Sequence, residues 1–241
     1  MSIHIGTSGW SYDHWQGVLY PPKTSAAKRL TYYLDQFDTV ELNSSFYRWP
    51  TPETFAGWQA KLPQKFLLCA KAPRWLTHVK NLKEPELWTD RIQESWSALG
   101  DKKAILLVQL SPRFACNYDR LAAFLQEMPR WIQMAVEFRH PSWHTEAIFD
   151  LLEQHHAAYC IMSGANLPCI LRLTAPVVYV RMHGPESHPL YHGSYSDPEL
   201  SEWAELIGVW EASGKDIYVY FNNDIGGHAI RNALTLRSLV R

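Results

Sequence analysis

Val177-Val178-Tyr179-Val180-Arg181-Met182-His183 is the stretch on which the fold turns. An apolar run ends abruptly in charged and polar side chains. A parallel strand buried on both faces reads as a near-continuous apolar run. In a parallel barrel the chemistry sits at the carboxyl ends of such strands. The pattern recurs along the chain. Ile3-His4-Ile5-Gly6 runs into Thr7-Ser8-Gly9-Trp10, Thr39-Val40-Glu41-Leu42 ends in Asn43, and Phe66-Leu67-Leu68-Cys69-Ala70 ends in Lys71. Ile105-Leu106-Leu107-Val108 ends in Gln109, Met134-Ala135-Val136 in Glu137-Phe138-Arg139, and Ile217-Tyr218-Val219-Tyr220-Phe221 in Asn222-Asn223-Asp224. Ala158-Tyr159-Cys160-Ile161-Met162 is the weakest of the eight strand candidates.

Helical patterns separate these runs. Thr24-Ser25 precedes a helix with Leu30, Tyr33, Leu34 and Phe37 on one face. Thr51-Pro52-Glu53 sets a cap before a first-turn proline, followed by Phe55, Trp58 and Leu62. Pro85-Glu86 opens a helix with Leu87, Ile92, Trp96 and Leu99, stopping at Gly100. Asn117, Thr145-Glu146 and Asp197-Pro198-Glu199 open three more, and the last follows Gly226-Gly227 with Ile230, Leu234 and Leu239. Alternation of strand and helix implies parallel strands with crossover helices. The expected fold is α/β, a compact single-domain (β/α)8 TIM-barrel-like fold over residues 1–241 with its active face at the strand C-termini. A doubly wound open sheet is the alternative, but it binds ligand near one switch point rather than at every strand end.

Composition sets bounds on function. The chain of 241 residues is 46% hydrophobic and 20% charged, enough to bury one large core. A net charge of -1 supplies no global field to recruit duplex DNA. Cys69, Cys116, Cys160 and Cys169 form no C-x-x-C pair, and Cys69 and Cys160 lie inside apolar runs, which points to a reducing, cytoplasmic setting. The first strand begins at once after Met1, and no apolar run is long enough for a membrane span, so neither a leader nor a membrane is expected. Eleven tryptophans and twelve tyrosines mostly fill space between helices and strands, with a few left to line a pocket.

Several motifs resemble those of the domain-of-unknown-function 72 family, also called YecE-like. They are Gly6-Thr7-Ser8-Gly9-Trp10-Ser11-Tyr12, Thr39 through Arg48, Lys71 through Thr77-His78, and Gln109-Leu110-Ser111-Pro112. Val136-Glu137-Phe138-Arg139-His140, Tyr179 through Gly184, and Phe221-Asn222-Asn223 with Ala229 and Asn232-Ala233 complete the set. Ser111 and Asn223-Asp224 depart from the residues usual in that family. The resemblance spans essentially the whole chain. It implies a triosephosphate-isomerase-type barrel and no particular activity.

The strand ends carry the candidate site. Glu41 and Glu137 end strands two and five, on roughly opposite sides of an eight-strand ring, and would transfer protons together with His183. The competing expectation is that each glutamate is locked by a cation such as Lys71 or Arg139. Lys71, Arg139 and Arg181 outnumber the two carboxylates, with Arg48 nearby; surplus buried cations favour an anionic ligand. Asn43, Gln109, Asn222 and Asn223 would orient that ligand. Gly226-Gly227 before the last helix would hold a phosphate, or simply make a tight turn. Thr7, Trp10, Tyr12 and Trp15 would line the pocket after strand one, and Phe46 and Tyr47 after strand two. The loop from His183 to Tyr195 would close over it.

The leading expectation is a hydrolase or lyase acting on a small phosphate-bearing or otherwise anionic substrate such as a carboxylate. No cofactor is expected, and no assigned residue is a metal ligand, because no spaced His cluster such as H-E-x-x-H is present. The first alternative is a metal-dependent endonuclease or phosphodiesterase acting on nucleic acid, which would require a divalent metal. The second is a non-catalytic binder of small anions. A glycosidase ranks lower, because three cations suit a neutral sugar poorly.

Overall fold

The computed structural model describes residues 2–164, 166–186 and 191–240. Every strand expected from the sequence forms: β1 Ile3–Thr7, β2 Thr39–Leu42, β3 Leu67–Lys71, β4 Lys103–Gln109, β5 Met134–Glu137, β6 Ala158–Ser163, β7 Val177–Met182 and β8 Asp216–Phe221. They make one eight-stranded sheet in the order β1-β8-β7-β6-β5-β4-β3-β2, with parallel pairing. With the alternating helices this is a (β/α)8, TIM-barrel-like fold. Strand six, the weakest expectation, is buried along its whole length, and among the described residues no helix separates it from β7.

The helices are α1 Ala26–Leu34, α2 Ser44–Tyr47, α3 Pro52–Lys61, α4 Glu86–Ser97, α5 Tyr118–Glu127, α6 Glu146–Gln154, α7 Asp197–Ala212 and α8 His228–Leu239. Two of the expected caps are made by side chains. Thr51 Oγ1 accepts from Thr54 N at 3.3 Å and Asn117 Oδ1 accepts from Arg120 N at 3.0 Å. The cap of α7 is Ser196, one residue before the expected start. Its hydroxyl accepts from Glu199 N while the Glu199 carboxylate accepts from Ser196 N at 2.7 Å, a reciprocal capping box. The short α2 and a π-helical turn at Trp75–Val79 carry too few residues to show a periodicity.

Two helix faces differ from expectation. Leu87 is exposed, although Ile92, Trp96 and Leu99 are buried. In α8 the buried face is Ala229, Ile230, Ala233 and Leu236, while Leu239 is exposed. A reading weighted by large residues misses this phase, because small alanines let α8 lie close against β1 and β8.

The chain forms two compact units. One comprises Met1–Glu41, Ile161–Leu171 and Pro176–Arg241; the other comprises Leu42–Cys160 and Arg172–Ala175. In the first unit the core is built on β1, β7 and β8. In the second, Trp96 and Phe55 pack edge to face at 5.6 Å and Phe138 stacks on Trp143 at 5.0 Å. Trp15, Trp96 and Trp143 are fully buried, so these three tryptophans serve packing. Cys69 and Cys160 are buried, and Cys116 and Cys169 are exposed. Among the described residues, no helix is long and apolar enough to cross a membrane.

Candidate functional site

In the first unit the strand ends assemble a buried ion pair. Alternation along β7 puts Tyr179 and Arg181 on one face of the strand. A parallel bridge between Ser8 and Glu41 sets those residues side by side. Arg181 then grips both carboxylate oxygens of Glu41, Nε to Oε2 at 2.9 Å and Nη2 to Oε1 at 2.7 Å. Tyr179 donates its hydroxyl to Oε2 at 2.8 Å, and Ser8 donates its hydroxyl to Oε1. Both charged side chains are buried. A carboxylate has about four lone-pair positions, and here four donors occupy them. Glu41 is locked by a cation, as the competing expectation held, but the cation is Arg181 rather than Lys71.

The other assigned residues of this unit serve largely as ties. Thr7 Oγ1 donates to Gly9 O at 2.7 Å and contacts the Tyr33 hydroxyl. The Tyr12 hydroxyl donates to Ser8 O at 2.6 Å, and Trp10 is half-buried. Trp15 is fully buried and donates to Asp224 O at 3.1 Å, so it serves packing rather than lining a pocket. His183 is buried. Asn222 Nδ2 donates to its Nδ1 at 3.2 Å, which places the imidazole proton on Nε2. Asn223 Nδ2 donates to Gly193 O and to Asn232 Oδ1, both at 2.9 Å, binding the end of β8 to the preceding loop and to α8.

Gly226 and Gly227 adopt φ of 71° and 74°, backbone that side-chain-bearing residues rarely take. A Cβ on Gly227 would come within 2.9 Å of Val18 Cγ1. The Gly227 and Ala229 amides donate to Asp224 O and Asn223 O, both at 3.0 Å. These amides close a tight turn. Within the loop from His183 to Tyr195, residues 187–190, His188 among them, lie outside the described residues. Its far end is anchored. The Tyr195 hydroxyl donates to Ser163 O at 3.0 Å and accepts from Gly184 N at 3.1 Å, and burial pushes its pKa up to about 12.

The second unit holds a different cluster. The register pairs Gln109 with Glu137 across β4 and β5, and Gln109 Nε2 donates to Glu137 Oε1 at 2.7 Å. Arg139, two residues on, pairs through Nε with the same oxygen. Cys160 Sγ lies 3.8 Å from Oε2. Lys71 ends β3, just past a register shift in its pairing with β4, and its Nζ sits 4.2 Å from the Phe46 ring centroid. His78 meets the same ring edge to face at 4.9 Å, and Tyr47 does so at 5.1 Å while 81% exposed. Asn43 leads into α2, and its Oδ1 is buried with no hydrogen-bond partner among the described residues. Arg48 is exposed.

His78 lies outside the strand-end residues assigned from the sequence, yet it reports the electrostatics of this cluster. Burial, then Lys71, Arg74 and Arg139, lower its pKa to about 4, with Glu137 opposing. Its imidazole is therefore neutral at pH 7 in a net positive surrounding. The motif ending Thr77-His78 carried the signal, but the π-helical turn that brings the ring back to Phe46 has no sequence signature. Ser8 and Tyr179 were also missed. Tyr179 was legible from the two-residue period it shares with Arg181. Among the described residues, no group of three or more His, Cys, Asp or Glu side chains is arranged to hold a metal ion.

Fold and strand-end chemistry together define an α/β-barrel protein with polar clusters at its strand C-termini. The chain belongs to the family described as "Protein of unknown function DUF72", whose model matches residues 4–241. It is similar to the UPF0759 protein YunF of Bacillus subtilis, 29% identical over 280 residues covering 99% of this chain and 94% of that one. It is also similar to the UPF0759 protein YecE of Escherichia coli, 26% identical over 142 residues, 58% of this chain and 50% of that one. A crystal structure of a DUF72 family protein from Thermotoga maritima superposes with a TM-score of 0.87 at 28% identity, covering 100% and 99% of the two chains.

Proposed function

We propose that the protein is an enzyme, a hydrolase or lyase, that binds a small phosphate- or carboxylate-bearing substrate at the ends of β3, β4 and β5. The observation that carries this reading is that Lys71 and His78 share the Phe46 ring, at 4.2 and 4.9 Å, where Lys71, Arg74 and Arg139 help hold the imidazole neutral against Glu137. Cationic groups concentrated beside a low-dielectric wall attract anions. Arg139 and Lys71 supply charge-assisted hydrogen bonds to the anionic group. Gln109 holds the Glu137 carboxylate at the strand end, and Glu137 is the group assigned to proton transfer. In this reading Glu41 and Arg181 form a structural pair, because the four donors on Glu41 already fill its acceptor positions.

Calorimetric titration with inorganic phosphate, followed by a screen of phosphorylated and carboxylated metabolites for turnover, tests the proposal. Phosphate binding that weakens in Lys71→Met and Arg139→Gln supports the anion site. Turnover lost in Glu137→Gln with binding retained supports catalysis. Binding without turnover of any compound favours the non-catalytic anion binder. Unchanged phosphate affinity in both cation variants overturns the assignment of the site.

A further inference from the structure

We propose that His78 selects the substrate by accepting a hydrogen bond from it through Nε2, so that the ligand carries a hydroxyl next to its anionic group, as a polyol phosphate does. The inference rests on the anion site assigned above. Thr77 Oγ1 lies 3.1 Å from Pro73 O, a carbonyl that can only accept, so the hydroxyl proton goes there. The same oxygen lies 2.9 Å from His78 Nδ1 and is left to accept. Nδ1 therefore carries the imidazole proton, and Nε2 presents a bare lone pair. No hydrogen-bond partner for Nε2 occurs among the described residues. The ring itself is fixed edge-on to Phe46 at 4.9 Å, and Phe46 also lies under the Lys71 ammonium. Lys71, Arg74 and Arg139 are all donors, so His78 adds an acceptor to a cluster built mainly to donate. A fully ionised phosphate ester or a carboxylate has no proton to offer it; a neighbouring hydroxyl does.

The test compares glycerol 3-phosphate with propyl phosphate, which has the same chain without the hydroxyls, and uses inorganic phosphate as the reference. Wild-type protein should prefer the hydroxylated ester by about fivefold to tenfold, the worth of one hydrogen bond. His78→Leu should lose the preference and bind the two esters equally, and His78→Gln, which retains an acceptor, should restore part of it. Equal binding of the two esters by wild type, with phosphate bound, overturns the role of His78 and leaves the anion site standing. Failure of wild type to bind phosphate or either ester overturns both. Should the variants not fold, the long-range 1H–15N spectrum of the wild-type imidazole decides. A proton on Nδ1 supports the proposal, and a proton on Nε2 overturns it.

Discussion

Arg181 holds both oxygens of the Glu41 carboxylate, at 2.9 and 2.7 Å, and neither side chain reaches solvent. Such a pair is costly to break and cheap to replace, since loss of one partner strands a buried charge. Arg181→Met should therefore destabilise the protein by about 3–5 kcal/mol. The double variant Glu41→Met/Arg181→Met should recover much of that loss. Urea denaturation of the three proteins measures this, and additive losses in the double variant would contradict the pairing.

Lys71 is only partly buried and rests on Phe46, so removing its charge leaves the fold intact. Lys71→Met should weaken phosphate binding roughly tenfold to a hundredfold, the value of one charge-assisted hydrogen bond. The denaturation midpoint should stay near that of wild type. Calorimetry and denaturation on one preparation separate the two effects.

Protonation of His78 gives stability a pH dependence of known sign. Its pKa in the folded chain is lowered from the ordinary 6.5 to about 4, so the unfolded chain binds the proton first. The contribution is fully present above pH 6.5, falls as the pH drops from there toward 4, and changes no further below that. Across this window the denaturation midpoint of wild type should fall relative to that of His78→Leu as the pH drops. Parallel curves would show that the imidazole is not held neutral.

Gly227→Ala distinguishes a tight turn from a phosphate cradle. With φ at 74° and Val18 in the way, the substitution should cost about 1–2 kcal/mol. Phosphate affinity should not change, because the turn's amides at Gly227 and Ala229 already donate to backbone carbonyls. A stable variant that has lost phosphate binding would place the anion at this helix start instead.

The strand framework was legible because apolar runs ending in Lys71, Gln109, Glu137 and Arg181 are long relative to the noise of composition. The gathering of polar side chains at the strand ends was legible at the same positions, since a polar residue closing a buried strand has few other places to go. Partnership was not. Glu41 and Arg181 stand 140 residues apart, and only the register joins them. Tyr179 lay hidden as an ordinary strand aromatic. His78 depended on a π-helical turn, and Ser196 was passed over because the neighbouring Asp197-Pro198 already read as a helix start. The buried face of α8 was misjudged because alanine carries little weight in a hydrophobic pattern.

The division of the chain into an interrupted unit and a nearly contiguous one matters for a polypeptide leaving the ribosome. Residues 42–160 supply all of the cationic cluster, and Glu137 meets Arg139 after two residues and Gln109 after 28. Glu41 emerges early, but its guanidinium follows 140 residues later. At synthesis rates of about 5–20 residues per second, that carboxylate spends roughly 7–28 s without its counter-charge. Throughout that interval the segment around β2 has reason to remain hydrated, and the final burial of Glu41 is an event of late translation.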